Sequence, residues 1–394
     1  MGFSVRMSRI KASGIRAVQK RIAGKSDMIS FAAGLPDPEL YPLADLKTAC
    51  DTMLEKEGAT AFAYGLTKGY GPLLDFLTDR MNVREGVECT KENICILSGS
   101  QQGLGMAALM FIDEGDVVIT ENPSYLGAIN SFRPYGAEFA GVDTDDEGIV
   151  IEDLERVLAE NPKAKLIYVI PNFQNPTGKA WSLDRRVRFM EVVAKYPDIV
   201  VVEDNPYGDL RFKGEPLPHL RALDKNGQVI YLGSMSKILS PGMRVAWACA
   251  SPEVASAIEE LKETNDLQSP ELTQMLAYYY VTMFDLEAHI NEIQAVYKER
   301  CELMVEMIKE YFPPEIKYTD PEGGMFLWLE LPEGLDSDKI LDDAVAAGIA
   351  YIPGESFFAF EGVKNTIRMN FTMVKDAQIR EGIKILGEVF KKYM

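Results

Sequence analysis

Short apolar runs alternate with helical stretches through the middle of the chain. Six runs have the length of buried strands, at residues 94–97, 117–120, 166–170, 199–202, 229–232 and 245–250. Stretches with helical periodicity, such as residues 182–195, separate many of them. Apolar strands joined by helical crossovers are typical of a mainly parallel sheet that helices cover on both faces. The pattern therefore predicts a large α/β domain.

The two ends of the chain have a different order of elements. Strands are predicted at residues 325–331 and 366–371, and helices at residues 10–22, 43–56, 285–311, 337–347 and 377–393. An extended loop rich in proline covers residues 31–42. We expect a large domain over residues 43–285 and a smaller α+β domain over residues 286–394. The N-terminal segment, residues 1–42, is expected to pack with the smaller domain.

Composition narrows the class of protein. The 394 residues are enough for two domains with separate cores. The net charge of −19 disfavours nucleic acid and anionic membranes as partners, because both attract basic surfaces. The five cysteines are scattered, which indicates reduced thiols and a cytoplasmic protein. We find no signal peptide, no apolar run long enough to cross a membrane and no Cys/His spacing typical of a metal site.

Histidine is nearly absent from this sequence. The two histidines, His219 and His289, are both predicted to be ordinary surface residues. Any proton transfer is therefore expected to fall to another residue type.

Polar and aromatic residues follow five of the predicted strands, at residues 98–103, 121–125, 171–178, 203–207 and 234–237. In open α/β sheets, ligands bind at the carboxyl ends of the strands. The first of these segments is a glycine-containing turn that leads into a helix, and such a helix N-terminus favours phosphate. The sequence therefore predicts one ligand site at this edge of the sheet.

A lysine lies just after one buried strand, in Ser234-Met235-Ser236-Lys237, and Arg244 follows. A lysine here needs a chemical reason, because buried unpaired lysines are rare. One chemistry uses all four polar residues: Lys237 forms an imine with an aldehyde, while Ser234, Ser236 and Arg244 bind a phosphate on the same molecule. That molecule would be pyridoxal 5′-phosphate (PLP). Only roughly one free lysine in a thousand is a neutral amine at neutral pH, so Lys237 must be activated by a desolvated or cationic setting.

The other strand ends offer partners for the rest of this cofactor. Asp204 would pair with the pyridine nitrogen and keep it protonated, and the pyridinium would in turn compensate a buried carboxylate. Tyr207 and Asn175 would hold the 3-oxygen of the ring, and Tyr125 would stack on the ring. Each also has an ordinary structural explanation: Asp204 as a turn cap, Asn175 as a turn residue and Tyr125 as a core tyrosine.

Arg368 interrupts an apolar strand pattern near the C-terminus. A planar guanidinium binds a carboxylate through two hydrogen bonds, so Arg368 is the best candidate for the substrate α-carboxylate. The alternative is an edge-strand arginine that pairs with a neighbouring acid. Likewise, residues 234–244 taken alone are compatible with a solvated loop.

Three segments carry a resemblance to a known family: PNFQNPTG, EDNPYGDLRF and GSMSKILSPGMRVAW, in this order. Together with FAAGLPDPELYP and TIRMNF, they resemble the fold type I PLP-dependent aminotransferases, over nearly the whole chain. Within that family the chain is similar to the kynurenine/2-aminoadipate aminotransferases and their bacterial relatives of broad specificity. Asp204 lies 29 positions after Asn175 and 33 before Lys237, and these gaps also resemble the family.

The resemblance implies a role for each site residue. Lys237 would be the Schiff-base lysine and the acid/base, with Asp204, Tyr207 and Asn175 in the roles given above. The residues that would hold the phosphate are Ser100, Gln101, Ser234, Ser236 and Arg244. Tyr64 would reach the phosphate of a neighbouring subunit, which implies a homodimer with shared active sites. Arg368 with Asn175 would bind the substrate carboxylate, helped by the backbone near Gly34, and Arg16 on the N-terminal helix would meet a side-chain carboxylate.

Two positions depart from the family pattern. Ala33 and Ala246 stand where glycine is common in the family. Both residues are small, so we expect little effect on chemistry and, at most, a narrower space near the substrate.

The expected activity is transfer of an amino group from an L-amino acid to a 2-oxo acid, with 2-oxoglutarate as the expected acceptor. The donor class stays open among 2-aminoadipate, aromatic and branched-chain amino acids. A PLP-dependent C–S or β-lyase on the same scaffold is the first alternative, because the same residues serve every carbanion reaction. A PLP-binding regulator without catalysis is a remote alternative, since the charge is unsuited to DNA.

Overall fold

The structure of the chain is a computed structural model. It describes residues 2–10, 14–24, 28–360 and 362–394, with the side chains of residues 15–17 outside the description. The strands are β1 Ile29–Ser30, β2 Ile94–Leu97, β3 Val117–Asn122, β4 Glu138–Asp145, β5 Gly148–Ile149, β6 Ala164–Val169, β7 Val200–Asn205, β8 Val229–Ser234, β9 Ala246–Cys249, β10 Lys317–Tyr318, β11 Phe326–Glu330, β12 Ile349–Ala350, β13 Ile352–Pro353 and β14 Thr366–Asn370.

Helices occur both between these strands and at the two ends of the chain. They are α1 Val5–Ser8, α2 Gly14–Ile22, α3 Leu43–Ala61, α4 Gly71–Val83, α5 Ser100–Phe111, α6 Leu126–Phe132, α7 Ile151–Glu160, α8 Leu183–Val193, α9 Leu220–Leu223, α10 Pro252–Asn265, α11 Glu271–Met283, α12 Leu286–Tyr311, α13 Ser337–Ala346 and α14 Asp376–Phe390. No helix in the described ranges is both long and apolar enough to cross a membrane.

Eight strands form the large sheet, in the order β2-β9-β8-β7-β6-β3-β4-β5. The five central neighbours, from β8 to β4, run parallel. The antiparallel pairs of this sheet are β2 with β9, β9 with β8, and β4 with the short β5. Strands β2, β6, β7, β8 and β9 are almost entirely buried, as their uninterrupted apolar runs predict. The prediction of a mainly parallel sheet in an α/β fold is confirmed.

A second, antiparallel sheet lies in the C-terminal part of the chain, with strand order β10-β11-β14-β13. A separate two-stranded sheet joins β1 to β12, with Ile29 opposite Ile349. The main chain continues this tie, because the N–H of Phe31 donates to the carbonyl of Ala350 at 2.8 Å and the N–H of Asn370 donates to the carbonyl of Phe31 at 2.8 Å. The N-terminal segment is thereby hydrogen-bonded to the C-terminal part of the chain.

Several elements of the structure, such as α4, α11 and the short β5, were not predicted from the sequence. Three further differences concern β4, α3 and α2. Strand β4 was not predicted, because its half-exposed residues form no continuous apolar run. Helix α3 runs to Ala61, but the backbone of Glu57 is not helical, so a kink falls directly after the predicted end at residue 56. The helix predicted at residues 10–22 begins at Gly14 in the described part, while residues 11–13 lie outside the described residues.

His219 is not a surface residue, and the prediction for it was wrong. It is 5% exposed, with Nε2 at 2.6 Å from Glu85 Oε2 and Nδ1 at 3.4 Å from Glu203 Oε1. Burial alone would lower the pKa of His219, but the two carboxylates outweigh it and raise the pKa to about 9. His289 is half-buried on α12. Neither histidine lines the cavity described below.

Candidate active site

The segments that follow β2, β3, β6, β7 and β8 converge on one cavity of about 530 Å³. This is the edge of the sheet where parallel strands end, as the sequence predicts. Twelve of the fourteen predicted site residues line the cavity: Gly34, Ser100, Gln101, Tyr125, Asn175, Asp204, Tyr207, Ser234, Ser236, Lys237, Arg244 and Arg368. Residues more than three hundred positions apart in sequence thus share one wall.

Lys237 lies on the cavity wall just after β8, with its ammonium group in contact with the main chain of the N-terminal segment. Its Nζ donates a hydrogen bond to the carbonyl of Gly34 at 3.2 Å. Burial, together with the nearby guanidinium groups of Arg368 and Arg244, lowers the pKa of Lys237 to about 8. The desolvated and cationic setting that an amine nucleophile needs is therefore present.

Asp204 faces the cavity from the end of β7. Its Oδ2 accepts a hydrogen bond from the hydroxyl of Tyr168 at 2.9 Å. Burial raises the pKa of Asp204 to about 7, although Tyr168 and Lys237 both oppose the shift. This carboxylate is 3% exposed and is held at the cavity by a neutral donor, so a cation in the cavity would stabilise its charged form.

Two tyrosines line the cavity beside Asp204. Tyr207 is 5% exposed, and its ring makes an edge contact with Phe326 at a centroid distance of 5.7 Å. Tyr125 directly precedes α6 and is partly buried. Burial raises the pKa of both phenols above its ordinary value, so both hydroxyls are neutral donors near pH 7.

Two serines and an arginine cluster at the end of the cavity near α5. The hydroxyl of Ser234 donates to Oγ of Ser236 at 2.9 Å, and the N–H of Ser236 donates to Oγ of Ser234 at 3.0 Å. Arg244 has a left-handed backbone, with φ of 55°, and its guanidinium donates to the carbonyl of Ser98 at 3.1 Å. Gly99 has a φ of 94°, a backbone conformation that favours glycine, and a Cβ there would also meet that guanidinium.

The N-terminus of α5 completes this group of donors. Ser100 and Gln101 form its first turn, where the N–H groups have no acceptor within the helix. The side-chain amide of Gln101 turns away to α6 and donates to the carbonyl of Gly127 at 3.3 Å. The part of Gln101 that remains free for an anion is therefore its main-chain N–H.

Arg368 lies on β14 and is 1% exposed. Its guanidinium donates to Oδ1 of Asn175 and to the carbonyl of Ala32, both at 3.1 Å. The rings of Phe326 and Phe357 lie 4.4 and 5.0 Å from its central carbon. Burial lowers the pKa of Arg368 to about 10, which still leaves the group charged at neutral pH. A carboxylate that enters the cavity would find this charge already oriented.

The donors and acceptors of the cavity fit PLP and a bound amino acid. Three buried polar atoms on the wall have no hydrogen-bond partner among the described residues: Oδ1 of Asp204, Oγ of Ser100 and Nε of Arg368. A pyridinium nitrogen, a phosphate and a carboxylate are the groups that would satisfy them, in that order. The gap kept open by Gly99 lies beside the phosphate donors.

Two predicted residues are not placed at the cavity. Tyr64 is 86% exposed on the surface of the single chain. Arg16 belongs to α2, but its side chain lies outside the described residues. Gln19, one turn later on the same helix, does line the cavity.

Sequence reasoning missed several residues of the site. Tyr168, the donor to Asp204, lies inside a predicted strand, and nothing in the strand pattern distinguishes it from a core residue. Leu35, Leu104, Ile170, Pro206 and Pro241 complete the apolar part of the wall. Leu104 and Ile170 flank predicted site segments and Pro206 lies within one, so proximity in sequence was the available signal. Ala33, one of the two departures from the family pattern, also lines the cavity.

Comparison with known proteins agrees with this geometry. The family model "Aminotransferase class I and II" matches residues 26–386. The aromatic-amino-acid aminotransferase 1 of Thermococcus litoralis is 44% identical over 100% of this chain and 94% of its own length. The 2-aminoadipate transaminase of Thermus thermophilus is 38% identical over 97% of this chain and 95% of its own length.

A solved structure also places the chain among the aminotransferases. The kynurenine aminotransferase of Pyrococcus horikoshii, crystallised with PMP, superposes with a TM-score of 0.95 and 41% identity, over 100% of this chain and 97% of the other. The chain belongs to the class I and II aminotransferase family. It is a PLP-dependent transaminase whose substrates are amino acids and 2-oxo acids.

Proposed function

We propose that this transaminase accepts L-amino acids of the 2-aminoadipate, aromatic or branched-chain type and passes the amino group to 2-oxoglutarate. The observation that carries the proposal is the buried guanidinium of Arg368, which shares one cavity with the amine of Lys237. The rest of the wall supports a broad donor range, because Leu35 and Gln19 offer apolar and amide surface. The names of the relatives, which cover aromatic amino acids, 2-aminoadipate and kynurenine, agree with it.

We further propose the following roles for the site residues. PLP, when bound, supplies an electron sink for negative charge that develops at the substrate α-carbon. Lys237 would hold the cofactor and move the proton at that carbon. Asp204 would keep the ring nitrogen protonated, and the 3-oxygen would accept from Tyr207 and Asn175. Tyr125 would cover the ring. The phosphate would be held by Ser100, Gln101, Ser234, Ser236 and Arg244.

The substrate carboxylate would be bound by Arg368 and Asn175, with the main chain at Gly34 nearby. We propose that Arg16 meets the side-chain carboxylate of acidic substrates. The support is that Gln19, three residues further along α2, lines the cavity. An Arg16→Ala variant should lose activity with glutamate and 2-aminoadipate while it keeps apolar donors. Equal loss of both classes would contradict this role.

We propose a homodimer with shared active sites. Phe62, Tyr64 and Leu66 form an apolar surface on one segment and are 74%, 86% and 72% exposed. Such a surface suits burial against a second copy.

A cytoplasmic location and the division into residues 1–42, 43–285 and 286–394 are also proposals. They are supported by the five free cysteines and by the pairing of β1 with β12.

The test is absorbance of the PLP-loaded protein through a panel of L-amino acids, followed by 2-oxoglutarate. A donor should convert the aldehyde form of the cofactor to the amine form, and 2-oxoglutarate should restore it. The fastest donor then identifies the substrate class. Release of a keto acid and ammonia without an acceptor would instead favour the C–S or β-lyase.

A further inference from the structure

A second buried carboxylate lies next to the site and takes no part in the chemistry proposed above. Glu121 is on β3 and is 2% exposed. Its Oε2 accepts from the main-chain N–H of Ile170 at 3.0 Å, and its Oε1 accepts from Nε1–H of Trp181 at 2.9 Å. Burial raises the pKa of Glu121 to about 7, and the groups that oppose the shift are all neutral donors. A carboxylate buried without a cation is costly, so its presence here calls for a specific structural reason.

The two donors stand at the two ends of one segment. Residues 170–181, here called the Asn175 loop, begin directly after β6 and end shortly before α8. The loop is closed by its own main chain, since the N–H of Trp181 donates to the carbonyl of Pro171 at 2.8 Å. Glu121 therefore binds both ends of this loop from the neighbouring strand, at the point where β3 and β6 separate.

A further hydrogen bond ties the middle of the loop to the end of β3. The side-chain amide of Gln174 donates to the carbonyl of Pro123 at 2.8 Å. Its carbonyl oxygen accepts from the hydroxyl of Thr177 at 2.7 Å. Between these two residues lies Asn175, whose Oδ1 accepts from Arg368 at 3.1 Å. The hold of Glu121 on the loop is thus transmitted to the pair that faces the substrate carboxylate.

We propose that Glu121 is a positioning residue, which fixes the Asn175 loop so that Asn175 and Arg368 meet the substrate carboxylate together. This inference deepens the proposed function and rests on it for the identity of the bound group. The contacts of Glu121 with the two ends of the Asn175 loop do not depend on which substrate is bound.

The first variant is Glu121→Gln, which keeps the shape of the side chain. Its amide has one acceptor for two donors, and its NH₂ group must face either Ile170 N–H or Trp181 Nε1–H. We expect KM for the amino acid and for the 2-oxo acid to rise about 10-fold, with kcat changed less than about threefold. In the cofactor-free protein, amide hydrogen exchange across residues 170–181 should quicken by about 10-fold or more.

A second substitution should remove the mismatch between the two donors and the single acceptor of the Gln variant. Trp181→Phe removes one of the two donors and keeps an aromatic ring against Phe189, whose ring centroid lies 5.1 Å from that of Trp181. In the double variant Glu121→Gln/Trp181→Phe, the single acceptor again matches the single donor. KM of the double variant should return to within about threefold of Trp181→Phe alone. A role of Glu121 in bulk stability alone would not produce this rescue of KM.

Glu203 provides the matched control. It lies on β7, is fully buried and also accepts two main-chain N–H bonds, from Leu220 at 3.0 Å and Arg221 at 2.9 Å. Those bonds hold the start of α9, and neither of them involves a residue of the Asn175 loop. Glu203→Gln should lower the midpoint of unfolding while it leaves KM and exchange across residues 170–181 within about twofold of wild type.

The proposal is overturned if Glu121→Gln leaves both KM and loop exchange at wild-type values, or if Glu203→Gln raises KM equally. Amide exchange is measured without cofactor or substrate. It therefore tests the hold of Glu121 on the loop even where the proposed substrates prove wrong, while the wild-type spectra test those substrates separately.

Discussion

The hydroxyl of Tyr168 donates to Oδ2 of Asp204 at 2.9 Å, while Oδ1 of the same carboxylate has no partner among the described residues. One oxygen is thus fixed by a neighbouring strand and the other is presented to the cavity. Burial raises the pKa of Asp204 to about 7, so the protein by itself disfavours the charge that would pair with a protonated cofactor ring. A cationic ring in the cavity would offset this cost and favour the charged carboxylate.

We expect Asp204→Asn to raise the stability of the cofactor-free protein while it lowers the activity of the loaded enzyme. The folded-state pKa of Asp204 is raised, so its contribution to stability falls as pH rises from about 4 to about 7. In the cofactor-free protein at pH 8, the Asn variant should be more stable than wild type, by on the order of 2 kcal/mol. Turnover of the loaded variant should fall at least about 100-fold, because the ring nitrogen loses its anionic partner.

Urea unfolding of the cofactor-free proteins at pH 5 and pH 8 measures this difference. The gap between variant and wild type should widen from pH 5 to pH 8. An Asn variant that is less stable than wild type at pH 8 would contradict the assignment of an uncompensated carboxylate.

Arg368→Lys tests the fork geometry of the carboxylate site. A lysine keeps the charge but cannot donate to Asn175, Ala32 and a substrate carboxylate in one plane. We expect KM for both substrates to rise by about 10- to 100-fold, with affinity for PLP nearly unchanged. Arg185→Lys is the control, since Arg185 is buried at 8% exposure but binds Asp145, away from the cavity. Loss of PLP affinity in Arg368→Lys would show a different role.

The amine of Lys237 should titrate near pH 8 in the cofactor-free protein. Burial and two guanidinium groups disfavour its protonated form, so about one amine in ten is neutral at pH 7. The rate of PLP capture, followed by absorbance, should rise with pH and level off above about 8. Lys237→Ala should show no such capture and no turnover. A capture rate that keeps rising to pH 10 would show that Lys237 titrates as an ordinary lysine.

The buried His219 predicts a pH dependence of stability. Its pKa is raised to about 9 between Glu203 and Glu85, so its contribution to stability is complete below about pH 6.5 and is lost as pH rises through 9. His219→Gln should cost about 2 kcal/mol at pH 6 and much less at pH 10. Urea unfolding of wild type and His219→Gln at pH 6 and pH 10 gives the difference in their free energies of unfolding. Groups that titrate equally in both proteins do not contribute to that difference. A constant difference would mean that His219 is neutral in the fold.

The large sheet and most of the cavity were predictable from the sequence, because both depend on apolar runs and on the polar residues that follow them. Uninterrupted apolar runs specify β6, β7 and β8, and the polar residues after them necessarily meet at one edge of a parallel sheet. Strand β4 was not predicted because it has no apolar run of its own. It forms a strand by pairing with β3. Here tertiary context outweighed the local pattern.

Residues that act through a contact distant in sequence were not predictable. His219 follows two prolines and a leucine in a segment that resembles a surface loop. Its burial is explained by two acidic partners, Glu85, 134 positions away, and Glu203. Tyr168 lies inside a strand pattern, where a core role is the default expectation. Glu121 lies in the segment 121–125 expected at the ligand edge, but nothing in the sequence gives it a role. Their partners, Asp204 and Trp181, become visible only when neighbouring strands and loops are brought together.

Mixed dimers test whether Tyr64 serves the neighbouring subunit. Lys237→Ala removes the amine of its own chain, and we expect Tyr64→Ala to weaken the site of the partner subunit. In a dimer of one Lys237→Ala chain and one Tyr64→Ala chain, the Tyr64→Ala chain keeps its own Lys237 and receives Tyr64 from its partner. Refolding equal amounts of the two variants together should therefore regain about a quarter of wild-type activity, since about half the dimers are mixed and each has one intact site. If Tyr64 serves its own chain, or if the chains do not associate, activity will stay at the mean of the two separate variants.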